Sequence, residues 1–390
     1  MSFHGQEASA GVRAIAYYLP QFHPIPENDE WWGMGFTEWT NTAKAKPLFP
    51  GHYQPHLPAD LGFYDLRVPE TREAQARMAR AAGIEAFCYY HYWFGAGRRL
   101  LERPFNEVLC SGKPDFPFCL CWANESWTGV WHGAPKRILV EQAYPGKVDN
   151  EKHFQALLPA FLDKRYVKVD GKPLFLVYSP AELPDPKGFT ALWQHLAQSA
   201  GLPGIYFVGG DNEPWTPSAN GFDGATVRVL HLAQRSEDGS LLFRFKQHYR
   251  RWRRRPPKVL AYHKSTEKFL LPECSKVNVY PCVVPNWDNT PRSGLQGMVL
   301  HSSTPELFRK HLRNVLQQVQ PKPPDHRLVF VKSWNEWAEG NHLEPDLKFG
   351  RQYLDVLQEE ISRGPLARNG ASAASRHEER QPALATVSAG

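Results

Sequence analysis

Short continuous apolar runs recur along this chain, each closing in polar or aromatic residues. They are Arg13–Leu19, Glu85–Tyr90, Phe116–Cys121, Leu174–Tyr178, Ile205–Val208, a weaker one at Gly224–Val227, Val277–Val284 and Leu328–Val331. Helical patterns lie between several of them. One opens at Pro69, reaches Ala82 and stops at Gly83, with proline early and glycine just past the end. Others cover about 150–162, 189–200 and 304–318. Strands that are apolar throughout are buried on both faces, as in parallel sheets covered by helices. Eight such units predict an α/β fold, a (β/α)8 TIM-type barrel forming one domain over 11–362. An open doubly wound sheet is the structural alternative.

Three stretches fall outside the repeat. The first loop, Trp31 to Leu66, is long and rich in Gly, Pro and aromatics, which suits a cap over the barrel mouth. Arg250, Arg251, Arg253, Arg254 and Arg255 form a basic run around Trp252. It reads first as a solvated helix face and second as a patch for anionic lipid or glycan. From about 363 to 390 the chain is Ala, Ser, Arg and Glu with few large apolar residues, and a disordered tail is expected there; residues 1–10 are expected to be a flexible N-terminus.

Composition narrows the function. Aromatics make up 13% of the 390 residues, including 13 Trp, and many Trp stand beside polar residues in loop-like segments, as stacking platforms do. The formal net charge of +6 tolerates anionic glycans without demanding nucleic acid. Six cysteines show neither a paired framework nor a metal-type cluster, so buried thiols in a reducing compartment are expected. No segment reads as a signal peptide or membrane span. The cytoplasm is the expected location, with membrane association through the arginine run as a variant.

Candidate chemistry lies where the runs end, because barrel enzymes build their sites there. The last run leads into Ser333-Trp334-Asn335-Glu336-Trp337-Ala338-Glu339-Gly340. Two carboxylates three apart among indoles lose hydration and repel each other's charge, which separates an acid from a base. Taken alone, the segment fits a helix N-terminus equally well. Tyr18, Gln21, His91, Trp93, Trp122, Asn124, Glu125, Trp127, Asn286 and Asp288 close other runs, and Asn335 and Trp337 flank the carboxylates. These twelve are the candidate sugar contacts; for the Trp122–Trp127 group the competing reading is a hydrogen-bonded corner with its indoles in the core. Glu38 and Trp39 serve either to cap the site or to stabilise the loop. No Walker loop, Gly-x-Ser-x-Gly elbow or Asp-x-Asp pair appears, and Gly33-Met34-Gly35 lacks the third glycine of a dinucleotide fingerprint. His52 and His56 are four apart, but Pro55 breaks the shared helical face, so no metal and no cofactor is expected.

Four ordered motifs then carry a family resemblance: Tyr17-Tyr18-Leu19-Pro20-Gln21-Phe22-His23, Gly35-Phe36-Thr37-Glu38-Trp39-Thr40-Asn41, Trp122-Ala123-Asn124-Glu125-Ser126-Trp127 and Trp334 to Gly340. From about Arg13 to Leu357 the chain resembles the WbsX-type, glycoside hydrolase family 99-like proteins. These are often encoded with bacterial O-antigen and capsule genes and labelled glycosyltransferases. The resemblance implies a (β/α)8 barrel acting on an oligosaccharide or polysaccharide. It also implies roles: Glu336 as the base that deprotonates the substrate's own 2-hydroxyl, Glu339 as the acid for the departing oxygen. Retention would follow without a covalent enzyme link, unlike the usual two-carboxylate schemes. A glycosyltransferase of lipopolysaccharide biosynthesis is the close alternative, and a non-catalytic glycan-binding barrel the distant one.

Overall fold

The computed structural model describes residues 11–129, 134–211, 216–235 and 257–363. The arginine run 250–255, the first ten residues and the tail from 364 lie outside the described residues. Eight parallel staves form the core: β1 (Arg13–Tyr18), β2 (Ile84–Trp93), β3 (Phe118–Trp122), β4 (Lys172–Val177), β5 (Tyr206–Asp211), β6 (Gly224–Val227), β7 (279–283) and β8 (Leu328–Val331). Each pairs with its neighbours in chain order, and β8 returns to β1, with Phe330 opposite Ile15. The seventh stave is broken at Pro281, which lacks an N–H for the ladder. Val279–Tyr280 pairs with β6 and Cys282–Val283 with β8, so the run Val277–Val284 bridges both sides of the ring.

Helices follow most staves and cover the ring. The Pro69 pattern becomes α1 (Pro69–Ala81), with Gly83 just beyond it at φ +83. Lys147–Phe161 is α2, Pro186–Ser199 is α3 and Pro305–Val319 is α4. In α3 the Asp185 carboxylate accepts from Gly188 N, and in α4 the Thr304 hydroxyl accepts from Leu307 N, so each helix starts at a capping side chain. Gln352–Ser362, α5, packs on α4.

Two departures from the expected layout shape the mouth. The first loop carries two short helices, Pro26–Trp32 and Glu38–Lys44. Beyond β3 the chain forms an antiparallel hairpin, Trp127–Gly129 with Ala134–Val140. Among the cysteines, all of which are free, five are buried and Cys110 is exposed. Among the described residues no helix is long and apolar enough to cross a membrane.

Candidate active site

The segment after β8 forms a tight turn rather than a helix start. Asn335–Glu336 pairs antiparallel with Asn341–His342, and Trp337–Glu339 makes a single 3-10 turn between them. Ser333 fixes its base: the hydroxyl donates to Asn341 O at 2.8 Å and accepts from Glu336 N at 3.0 Å. Gly340 closes the turn at φ +51, where a Cβ would stand 2.8 Å from Asp288 Cβ. Only glycine meets both demands. Beside it, Asp288 N donates to Glu339 O at 2.7 Å, tying the turn to the loop after β7.

This turn aims both carboxylates at one cavity but gives them different surroundings. Glu336 accepts from Asn341 Nδ2 at 2.8 Å and faces Lys332 Nζ at 3.4 Å. Burial works against the charge of Lys332, but Glu336, Tyr178 and Glu339 outweigh it and keep the ammonium protonated. Glu339 lies 2.6 Å from Arg292 Nη1, and Arg292 Nη2 lies 2.5 Å from Glu38 Oε1. Burial pushes the Glu339 carboxyl up to about 7; Arg292 opposes that shift, and Glu336 adds to it. Glu38 is also raised, chiefly by burial, despite Arg292 and a 3.0 Å hydrogen bond from Ala338 N. The first-loop helix therefore touches the turn that carries Glu336 and Glu339.

The cavity has two adjoining lobes. One, of about 950 Å³, is lined by Gln21, Tyr92, Glu125, Trp127, Arg292 and Glu336 among others. The second, of about 1010 Å³, reaches Tyr17 and Cys121 inside the barrel and Arg228 and Trp287 at its rim. Tyr90, Tyr178, Lys332 and Glu339 belong to both walls. Arg228 lies 4.1 Å over the Tyr178 ring and 3.0 Å from Glu125 Oε1.

Of the candidate sugar contacts, Gln21, Glu125 and Trp127 line this cavity with Glu336 and Glu339. Nine turn away from it, and strand alternation explains four of them, Tyr18, His91, Trp93 and Trp122. In β1, Tyr17 faces the cavity while Tyr18 points outward and donates to Gln75 at 2.6 Å. In β2, Tyr90 and Tyr92 face the cavity. His91 pairs outward with His153 at 2.8 Å, and Trp93 donates to Asp149 at 3.0 Å. Trp122 is fully buried, its indole N–H donating to Trp93 O at 3.0 Å. Asn124 clamps the backbone of Ser179 through 2.8 Å bonds at both ends of its amide. Asn335 does the same for Leu19, and Trp337 stacks on His342 and donates to Glu344 at 2.7 Å. Asn286 and Asp288 border a different cavity, where Asn286 accepts from His342 N and Asp288 from His52 and Gln54. These residues build the frame of the site rather than its surface.

Several cavity groups carry no local sequence signal. Arg292 sits four residues past Asp288 in the one-turn helix Thr290–Ser293, and Lys332 is the first residue after β8. Tyr90, Tyr92 and Tyr178 were legible only as strand residues; counting alternate positions from the apolar runs would have turned them inward.

The sequence model of a family described as Glycosyltransferase WbsX matches residues 14–357. Two curated relatives, both WxcX of Xanthomonas campestris pv. campestris, are similar in sequence. One, of strain B100, is 38% identical over 370 residues, and one, of strain ATCC 33913, is 40% identical over 374. Each alignment takes in 90% of this chain and 50% of the relative, so the chain spans about half the length of those proteins. In structure, a glycoside hydrolase-like protein superposes with TM-score 0.56 at 15% identity, over 93% of this chain and 97% of the other. The GH99 endo-alpha-mannosidase of Bacteroides thetaiotaomicron gives TM-score 0.53 at 13% identity, over 90% and 97%. At such identities the likeness concerns the fold.

Proposed function

The chain belongs to the WbsX glycosyltransferase family, and from that premise we propose that it is a carbohydrate-active enzyme working on glycosidic bonds of a bacterial surface polysaccharide through Glu336 and Glu339. One observation carries the reading. A carboxyl lifted to about 7 shares a cavity with a second carboxylate whose partners are an ammonium and an amide. Such asymmetry is what acid–base chemistry at a glycosidic bond requires.

In the proposed sequence Glu336 takes the proton from the sugar's 2-hydroxyl. That oxygen bonds to the anomeric carbon as the bond to the leaving oxygen breaks, and Glu339 gives the leaving oxygen its proton. An acceptor hydroxyl then opens the three-membered ring, passing its proton to Glu339 while O2 recovers one from Glu336. Two inversions at one carbon amount to retention. Lys332 and Arg292 hold the two carboxylates in place, and Trp127, Tyr90 and Tyr92 offer ring surface to the sugar. The family's description favours a second reading with the same residues, in which the acceptor is a sugar hydroxyl and the reaction is transfer. The barrel's likeness to a GH99 endo-alpha-mannosidase supports water as the acceptor.

The test is incubation of the protein with α-linked oligosaccharides and nucleotide sugars, read by mass spectrometry and by NMR of the anomeric protons. Products should retain configuration. Glu336→Gln and Glu339→Gln should each lose about 10²–10⁴ in rate, the usual worth of a general acid or base, while remaining folded. Unchanged rates in both variants, or inverted products, would end the assignment.

A further inference from the structure

A polar cluster that the proposed chemistry does not use borders a separate cavity of about 660 Å³. His56 Nδ1 stands 2.9 Å from His342 Nε2, and with the Asp346 carboxylate the three ligating atoms lie within 4.8 Å of one another. All three side chains are buried, none more than 6% exposed. His56 comes from the first loop; His342 and Asp346 follow the catalytic turn, 286 or more residues away in the chain. The sequence offered only His52 with His56, and the fold gives His56 different partners.

Lone pairs in this cluster point the right way. His342 Nδ1 faces the Glu344 carbonyl at 2.9 Å, so it carries the ring's proton and leaves Nε2 as a lone pair aimed at His56. One N–H can fill the gap between the two rings. If His56 instead carries its proton on Nε2, two lone pairs converge there, and His56 lines the cavity where water can accept that proton's hydrogen bond. Asp346 Oδ1 is occupied by the Lys348 and Phe349 amides at 3.1 and 2.7 Å. Among the described residues its Oδ2 meets only the Tyr53 hydroxyl, at 3.2 Å, and keeps a lone pair to give.

Charge agrees. Asp346 and neighbouring Asp288 contribute two negative charges against one ammonium, Lys348, drawn over the Tyr53 and Phe349 rings at 4.4 and 4.7 Å. Two imidazoles, one carboxylate and a position open to cavity water are the donor set of a tetrahedral zinc-class ion; magnesium and calcium prefer all-oxygen shells. Bound at about 2.0–2.1 Å in tetrahedral geometry, the two nitrogens would separate to about 3.3 Å, a small side-chain adjustment. We infer that His56, His342 and Asp346 bind a divalent transition ion that clips the first loop to the segment carrying the catalytic turn. His342 stacks on Trp337 at 3.9 Å, so the clip would also hold the turn.

The experiment uses the full-length, tag-free protein, stripped with chelator and then titrated with zinc chloride in a calorimeter and with cobalt(II) in a visible spectrometer. The expected result is one equivalent of zinc at micromolar affinity or tighter, an intense tetrahedral cobalt spectrum displaced by zinc, and a melting temperature several degrees higher with the ion. His56→Gln and Asp346→Asn should each weaken uptake by at least about tenfold. If His56→Gln does not fold, Asp346→Asn alone decides. No stoichiometric uptake, or uptake equal to wild type in the folded variants, overturns the site in favour of a plain hydrogen-bonded network. Uptake is read without turnover, so its failure leaves the glycosidic assignment standing, and the reverse holds too.

Discussion

Arg292 reaches Glu339 at 2.6 Å while its other nitrogen holds Glu38 at 2.5 Å, so one guanidinium serves two buried carboxyls. Sharing weakens its hold on either. A dedicated ion pair would drive Glu339 far below the usual carboxylate range; here burial, with Glu336 beside it, keeps the carboxyl at about 7. Glu339 must start protonated to act as an acid, so the rate should fall as pH rises through about 7. Arg292→Met removes a cation that favours the ionised form, so this alkaline limb should move to higher pH. A pH–rate profile of kcat checks it, and a limb that stays or moves down contradicts the role.

The same triad predicts a stability asymmetry. Arg292→Met leaves Glu38 buried without its counter-charge, and breaking a buried pair from one side costs about 3–5 kcal/mol. Replacing Glu38 by Leu as well removes one of the two orphaned carboxyls, so the double variant should recover part of that loss. Urea unfolding of wild type, both single variants and the double variant measures the coupling. Additive losses would mean that the pair is not a unit.

The barrel was legible because its staves are buried on both faces and therefore read as unbroken apolar runs; even Val277–Val284 kept its place despite Pro281. The hairpin Trp127–Gly129 with Ala134–Val140 was not, since its residues show no strong alternation and it forms over the mouth. The carboxylate pair was legible from local spacing. Its partners were not, because Glu38 and Arg292 meet across 254 residues and only the closed ring brings them together. The candidate contacts in β1, β2 and β3 were displaced by one position. Tyr18, His91 and Trp122 sit next to cavity residues in sequence, and a period of two turns each to the opposite face. Adjacency along a strand is not adjacency in a site.

Glu344 gives a pH dependence of stability separate from catalysis. It is buried, accepts from Trp337, Tyr64 and Gln75, and is pushed by burial from 4.5 up to about 7. Its folded-state value exceeds the unfolded one, so the native state holds a proton that the unfolded chain releases. Stability from this group is complete below about 4.5 and is lost as pH climbs to about 7. Glu344→Gln removes that loss. The Tyr18–Gln75 bonds can reverse to suit the new amide, with the Gln75 amide flipped and the Tyr18 hydroxyl turned. The variant's stability relative to wild type should rise by about 2.5 kcal/mol between pH 5 and 8, measured by denaturant unfolding. A difference that stays level across that range would show that Glu344 does not titrate there.

Trp127 and Trp122 provide a paired comparison, five residues apart and opposite in role. Trp127 lines the lobe with Glu336 and is held edge-on by Tyr92 and Phe94 at 5.0 and 5.6 Å, which leaves it rigid and partly open. In the proposed reaction a ring so placed is expected to stack on substrate in the ground and transition states alike. Trp127→Ala should therefore raise KM about tenfold, equivalent to roughly 1.4 kcal/mol, with kcat nearly unchanged. Trp122 lines neither lobe of the site and packs on His153 and Phe189 at 4.8 and 5.6 Å. Trp122→Ala should cost about 3–5 kcal/mol of stability. Steady-state kinetics beside thermal unfolding separates the two. If Trp127→Ala lowers kcat and kcat/KM in parallel while KM stays fixed, the indole acts in the transition state rather than as a platform.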